Sequence, residues 1–224
     1  MRGNMHLLFV LCAVSTPALG NWVRWDQNGH YYAAQRVVDP AGIRWTDAAD
    51  GASARGAYLA CITSPDENTF VFSLVNSPSF FQPESGTNAM LGPWIGLWRP
   101  GVTFEWVSGE PFVYSAWASG EPNDFGGDEN YVQFFGYGAP ASTWNDFPNE
   151  GSTHPGHERP IAYMLERDTC PADLAPDGTL NFFDVQAFLQ AFSGGLPVAD
   201  FTHDETLDFF DVQAFLNLYS GGCP

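Results

Sequence analysis

One stretch of this chain occurs twice. Residues 173–189 recur at 200–216 with a constant offset of 27, Asp173 matching Asp200 and Asp184 matching Asp211. Two copies are too few for a solenoid, which needs about three repeats to close a core. The pattern instead specifies two loop–helix units packed on each other. Oxygen side chains fall at loop positions 1, 5, 9 and 12, and a helix follows. A hard cation such as Ca²⁺ takes about six to eight oxygens from a loop of this kind, with Gly at position 6 for the sharp turn. The candidate ligands are Asp173, Asp177, Asn181 and Asp184 in the first loop and Asp200, Asp204, Asp208 and Asp211 in the second. The first keeps Gly178 at position 6 but has Ala175 at position 3. The second has Thr202 at position 3 and Glu205 at position 6, where the backbone is expected at positive φ. Calcium is therefore expected to bind the first loop more tightly. The other reading is an acidic, solvated repeat that pairs without metal. Phe183, Val185, Phe188, Leu189 and Phe192 recur at helical spacing and are expected to form the buried face of the first helix.

Lys and Arg total 8 against 26 Asp and Glu, a formal net charge of −18. A field of that sign repels phosphate backbones and anionic lipid, which argues against nucleic acid and against a polybasic membrane patch. Outside the N-terminus no apolar run approaches the ~18 residues of a transmembrane span. At the N-terminus, Arg2 precedes the apolar run Leu7–Val14, then Pro17 and the small residues Ala18 and Gly20. This reads as a signal peptide over 1–20, giving a secreted or cell-surface protein. In an oxidising compartment Cys170 and Cys223, which bracket the repeat segment, read as a disulfide. Cys61 lies in an apolar context and reads as a buried free thiol. The organisation is then a signal peptide at 1–20, a larger domain at 21–168 and a smaller, all-α domain at 169–224.

In the larger domain Gly29-His30-Tyr31-Tyr32 alternates like a strand. Thr46 or Asp47 is expected to cap a helix, and Ser64 to cap another with Pro65 at its first position. Short aromatic strands follow around Trp94–Leu97, Phe104–Val107, Tyr131–Phe134 and Ile161–Leu165. Two helices followed by an irregular antiparallel sheet is an α+β pattern.

Within it, Leu59-Ala60, Glu67-Asn68, Trp94-Ile95-Gly96-Leu97, Glu121-Pro122-Asn123 and Trp144-Asn145-Asp146 occur in order. Over about residues 28–166 the chain resembles the C-type lectin domain. The resemblance implies a calcium and sugar site made by Glu121, Asn123, Glu129, Asn145 and Asp146, with a cis bond before Pro122. Three carboxylates and two amide oxygens form an oxygen-only set of charge −3, suited to Ca²⁺ and poor for zinc. It also implies a glycan partner with vicinal equatorial hydroxyls, of the mannose, fucose or N-acetylglucosamine type. The family's cysteines are absent, with Ala52, Tyr131 and Tyr163 near their places. A second family calcium site would use Asp124 but lacks acids in Leu97-Trp98-Arg99-Pro100. The 80–92 and 148–160 stretches are unshared loops, and His154 and His157, without a third ligand nearby, read as solvent-exposed rather than as a zinc pair.

The C-terminal segment, ending in Gly-Gly-Cys-Pro, is similar to a dockerin domain. That implies a cohesin-like protein or a cell-surface partner. The leading reading is a non-enzymatic, calcium-dependent carbohydrate-binding module on a docking domain. The alternatives are a lectin fold that recognises protein or serves structurally, and a component of a polysaccharide-degrading assembly. Hydrolysis by Glu121 and Glu129 themselves is disfavoured because both are better accounted for as metal ligands.

Overall fold

Residues 22–154 and 156–222 are described in the computed structural model. The expected signal peptide and Cys223 lie outside them, so the pairing of Cys170 with Cys223 stays a proposal. The strands are β1 (Val23–Arg24), β2 (Tyr31–Arg36), β3 (Tyr58–Leu59), β4 (Gln82–Pro83), β5 (Ala89–Trp98), β6 (Glu105–Trp106), β7 (Tyr131–Tyr137), β8 (Thr143–Phe147) and β9 (Ala162–Arg167). The helices are α1 (Trp45–Ala54), α2 (Pro65–Ser73), α3 (Phe182–Ser193) and α4 (Phe209–Gly221). The main sheet runs β1-β2-β9-β5-β7-β8, antiparallel except where β5 meets β9 at Trp94 and Tyr163. The larger unit is thus α+β, as expected.

The aromatic residues of the motifs form the core on both sheet faces. Trp94 and Trp144 are fully buried, and each finds a partner for its ring N–H: Trp94 Nε1 donates to the Ile43 carbonyl at 2.8 Å and Trp144 Nε1 to Asn68 Oδ1 at 2.9 Å. Such partners let a large amphipathic ring be buried without stranding a donor. Gly96 is required by packing: a Cβ there would lie 2.2 Å from the Leu59 carbonyl oxygen. Cys61 is buried and free, and burial pushes its thiol pKa up.

Helix ends show what sequence patterns convey and what they miss. Ser64 caps α2 as expected, its side chain accepting from the Glu67 N–H with Pro65 in the first turn. Neither Thr46 nor Asp47 caps α1; Arg44 is its N-cap and makes no side-chain cap bond. The capping role passes to a distant residue, because Asn149 Oδ1 accepts from Thr46 N and Thr46 Oγ1 at 3.2 and 3.3 Å. The expected apolar face of α3 also needs correction. Phe183 and Leu189 are exposed, and the inward positions are Asp184, Phe188 and Ala191. Starting the helix at Phe182 sets its inner face at i, i+4 and i+7 from Asp184 rather than from Phe183.

The two loop–helix units meet through Phe188 and Phe215, stacked at 4.2 Å between centroids and 5° between planes. Both belong to a hydrophobic cluster that continues through Tyr31, Trp45, Tyr163 and Leu165 of the larger unit. Gln35 of β2, fully buried, donates from Nε2 to the His203 carbonyl at 2.9 Å. The Trp22 ring meets His203 edge-on at 5.2 Å. Among the described residues, no helix is long and apolar enough to cross a membrane.

Candidate functional site

The loop leading to β7 is laced to β8 immediately before the Asn-Asp pair. Ala118 N donates to the Trp144 carbonyl and Trp144 N to the Ala116 carbonyl, both at 2.8 Å. The Glu121–Pro122 peptide is cis, as expected. Asp146, fully buried, then gathers the loop: its two oxygens accept from Asn123 N and Asp124 N, each at 3.0 Å. Phe125 N donates to both Asn123 Oδ1 at 2.8 Å and Glu129 Oε2 at 2.7 Å. The β7–β8 register sets Asn145 opposite Gln133 and Asp146 opposite Val132. Glu121, Asn123, Glu129 and Asn145 consequently line one cleft of about 260 Å³, with Asp146 bonded to its rim from within.

All five residues singled out in the sequence are brought together, and their chemistry fits a hard divalent cation. Glu121 Oε2 and Asn145 Oδ1 are buried without a hydrogen-bond partner among the described residues. Such orphaned acceptors cost about 1–3 kcal/mol each unless something electropositive meets them. Burial pushes the Glu129 carboxyl up to about 8, opposed by the Phe125 N–H and reinforced by the charges of Asp146 and Glu121. Burial, then the neighbouring Asp146, raises Glu121 to about 6. Asp124 is engaged differently. Arg99 Nη2 lies 2.6 Å from its Oδ1, so a cationic side chain stands where a second metal site would need acids.

The cleft has a wall that motif reading missed. Glu84, Ser152, Thr153 and His154, from the two unshared loops, line it together with Glu121. His154 was visible as a loop histidine, but its carboxylate neighbour is 70 positions away in the chain, with His154 Nδ1 3.2 Å from Glu84 Oε1.

No family model matches the sequence. Several curated proteins do. C-type mannose receptor 2 of Homo sapiens is 32% identical over 112 residues, 48% of this chain and 7% of the receptor. Perlucin-like protein of Mytilus galloprovincialis is 26% identical over 144 residues, 60% of this chain and 78% of that protein. The sequence is thus similar to those of C-type lectin-like proteins. Among solved structures, the cow C-type carbohydrate-recognition domain of CD23, crystallised with a GlcNAc2Man3 oligosaccharide, is 24% identical with a TM-score of 0.47, covering 65% of this chain and 92% of that one. The chain spans less than a tenth of the mannose receptor's length.

Beside the larger unit, the eight candidate ligand residues of the repeat loops sit in matching geometry. In the first loop Asp173 accepts from Asp177 N and Gly178 N, and Asp184 from Ala175 N and Asn181 N. Asn181 with Asp184, and Asp208 with Asp211, also form reciprocal capping boxes on α3 and α4. These residues therefore have structural work irrespective of a metal, while the all-oxygen donor set of the first loop fits Ca²⁺. The second loop fits less well. Glu205 takes the positive φ expected at position 6, at 65°. Asp200, at position 1, is already paired with Arg55, the C-cap of α1, Nη2 to Oδ2 at 3.1 Å, with both side chains largely buried. Arg55→Ala strands that buried carboxylate and is expected to cost about 3–5 kcal/mol in chelator, part of it regained in calcium as Asp200 becomes available. Thermal melts of Arg55→Ala with and without calcium check this. A loss that calcium does not reduce would show that Arg55 does not compete with the ion.

Proposed function

We propose that this chain is a secreted or surface-exposed, calcium-dependent carbohydrate-binding module of the mannose, fucose or N-acetylglucosamine type, without enzymatic activity, carried on a dockerin-like domain. One observation carries the reading: Glu121, Asn123, Glu129 and Asn145 line one cleft, Asp146 is bonded to its loop from behind, and two of their oxygens are buried and unpaired. Glu121, Asn123, Glu129, Asn145 and Asp146 would hold the ion. When bound, Ca²⁺ supplies open coordination positions for two vicinal hydroxyls. The side chains do the discriminating. A Glu oxygen accepts a hydroxyl proton, and an Asn amide N–H donates to the same hydroxyl's lone pair. Asp146 binds no hydroxyl in this scheme; it holds the Asn123–Asp124 backbone so that the other donors converge.

A docking role for the repeat unit draws support from four exposed aromatic side chains, Phe182, Phe183, Phe209 and Phe210, at the starts of α3 and α4. Exposed apolar clusters of this sort mark interaction surfaces. The partner would be a protein of cohesin-like kind or a cell-surface component.

Glycan binding measured in calcium and in chelator tests the sugar reading. The sharper variant is the double change Glu121→Gln with Asn123→Asp. It keeps five oxygen ligands but reverses the donor and acceptor offered to each hydroxyl. Calcium affinity should persist while preference moves from mannose-type to galactose-type sugars by about tenfold or more, the worth of one or two exchanged hydrogen bonds. Unchanged preference would show that these two residues do not read the sugar.

A further inference from the structure

We propose that the cleft has a second, calcium-independent subsite, which selects a neutral oligosaccharide over a single sugar. This rests on the carbohydrate-binding reading and deepens it. Its wall comes from the two segments without counterparts in the C-type lectin pattern, 80–92 and 148–160. They converge on the same cleft as Glu121, Asn123 and Asn145.

The wall is built rather than incidental. Glu84 is only 8% exposed, and its two oxygens are divided between the two loops. Oε2 accepts from Thr87 Oγ1 at 2.9 Å within its own loop, and Oε1 accepts from Ser152 Oγ at 2.5 Å in the other. Ser152 Oγ also accepts from His154 N at 2.9 Å. The imidazole is held by one edge: Nδ1 lies 3.2 Å from both Glu84 Oε1 and Ser152 Oγ. A carboxylate beside Nδ1 favours the tautomer with the proton there, leaving Nε2 as an acceptor. His154 side-chain exposure is 46%, and the residue lines the cleft. Phe125, which also lines the cleft, is 63% exposed and offers an apolar face for the C–H side of a sugar ring.

Charge selects the class. Glu84, Glu121 and Glu129 line the cleft, and among the described residues no Arg does. A carboxylated or sulfated sugar would meet a field of its own sign, and like-charge juxtaposition is a strong discriminator. A neutral sugar presents only hydroxyls, which the Nε2 acceptor and the exposed Thr153 hydroxyl complement. The residue bound here is the neighbour of the one gripped by Glu121 and Asn123, so affinity rises with chain length.

Calorimetry on the full chain in calcium, with mannose, mannotriose and a mannose-containing disaccharide ending in a uronic acid, tests this. Mannotriose should bind about five- to tenfold tighter than mannose, the gain of roughly one further hydrogen bond and a stacking contact. His154→Ala should erase that gain while leaving mannose and calcium affinities within about twofold. Glu84→Gln, which keeps an acceptor for Ser152, should diminish the gain by loosening the imidazole. Equal binding of mannose and mannotriose overturns the second subsite and leaves the carbohydrate reading intact. So does an equal loss for both sugars in His154→Ala. Preference for the uronic-acid disaccharide overturns the neutral class. A wild-type protein that binds none of the three overturns both readings.

Discussion

Asp146→Ala is expected to abolish calcium-dependent sugar binding and to lower stability, the largest effect of any single change at the site. Asp146 is completely buried and accepts from two consecutive backbone N–H groups of the loop. Removing it leaves both donors without a partner, at about 1–3 kcal/mol each, and takes one of three negative charges from the cluster. Asp146→Asn separates the two contributions. Its amide oxygen keeps one acceptor for the loop, so most of the fold survives while the ionic part of the site is lost. Binding should therefore fail in both variants, with melting temperature depressed strongly only in Asp146→Ala. Mannose binding that survives Asp146→Ala in excess chelator would eliminate the calcium mechanism.

Calcium should stabilise the protein more as pH rises from about 4.5 to about 8. In the metal-free fold burial raises Glu129 to about 8 and Glu121 to about 6, from an ordinary value of 4.5. A carboxyl whose pKa is raised by folding favours the folded state below its unfolded pKa. That contribution fades as pH climbs through the folded value. The metal-free protein should thus weaken across this window. Calcium binding needs the ionised carboxylates and gains over the same range. At a hundredfold excess over its dissociation constant a ligand adds about 2.7 kcal/mol, or roughly 5–10 °C in melting temperature for a chain of this size. Melts in calcium and in chelator at pH 5, 6.5 and 8 should show the gap widening. A constant gap would place the raised carboxyls outside the ion's reach.

The grouping of Glu121, Asn123, Glu129, Asn145 and Asp146 was legible because they are close in sequence and their chemistry is distinctive. Glu121, Asn123 and Glu129 sit in one loop, and Asn145 and Asp146 are adjacent on one strand. A register of β7 against β8 suffices to join them. What escaped depends on pairs distant along the chain. Nothing local marks Asn149 as the partner of Thr46, Glu84 as the clamp on His154, or Arg55 as the partner of Asp200. Each is decided by how loops and helices settle on the sheet. The exposed Phe183 and Leu189 illustrate the reverse error: hydrophobicity at helical spacing indicated burial, but the side of the helix that turns inward is set by where it starts and what it packs against.

The continuous aromatic packing between the repeat unit and the larger unit has a mechanical consequence. Among the contacts to the repeat unit, Trp22 precedes β1 and Gln35 lies on β2, at one end of the strand order, whereas Asn145 and Phe147 of the cleft lie on β8, the other end. A chain held by its repeat unit would not dangle its binding face from a swivel. It would present the cleft at a set bearing, on the side remote from the attachment. Many such chains on one surface would then form an oriented array, whose avidity depends on the spacing of the anchors rather than on the reach of a linker.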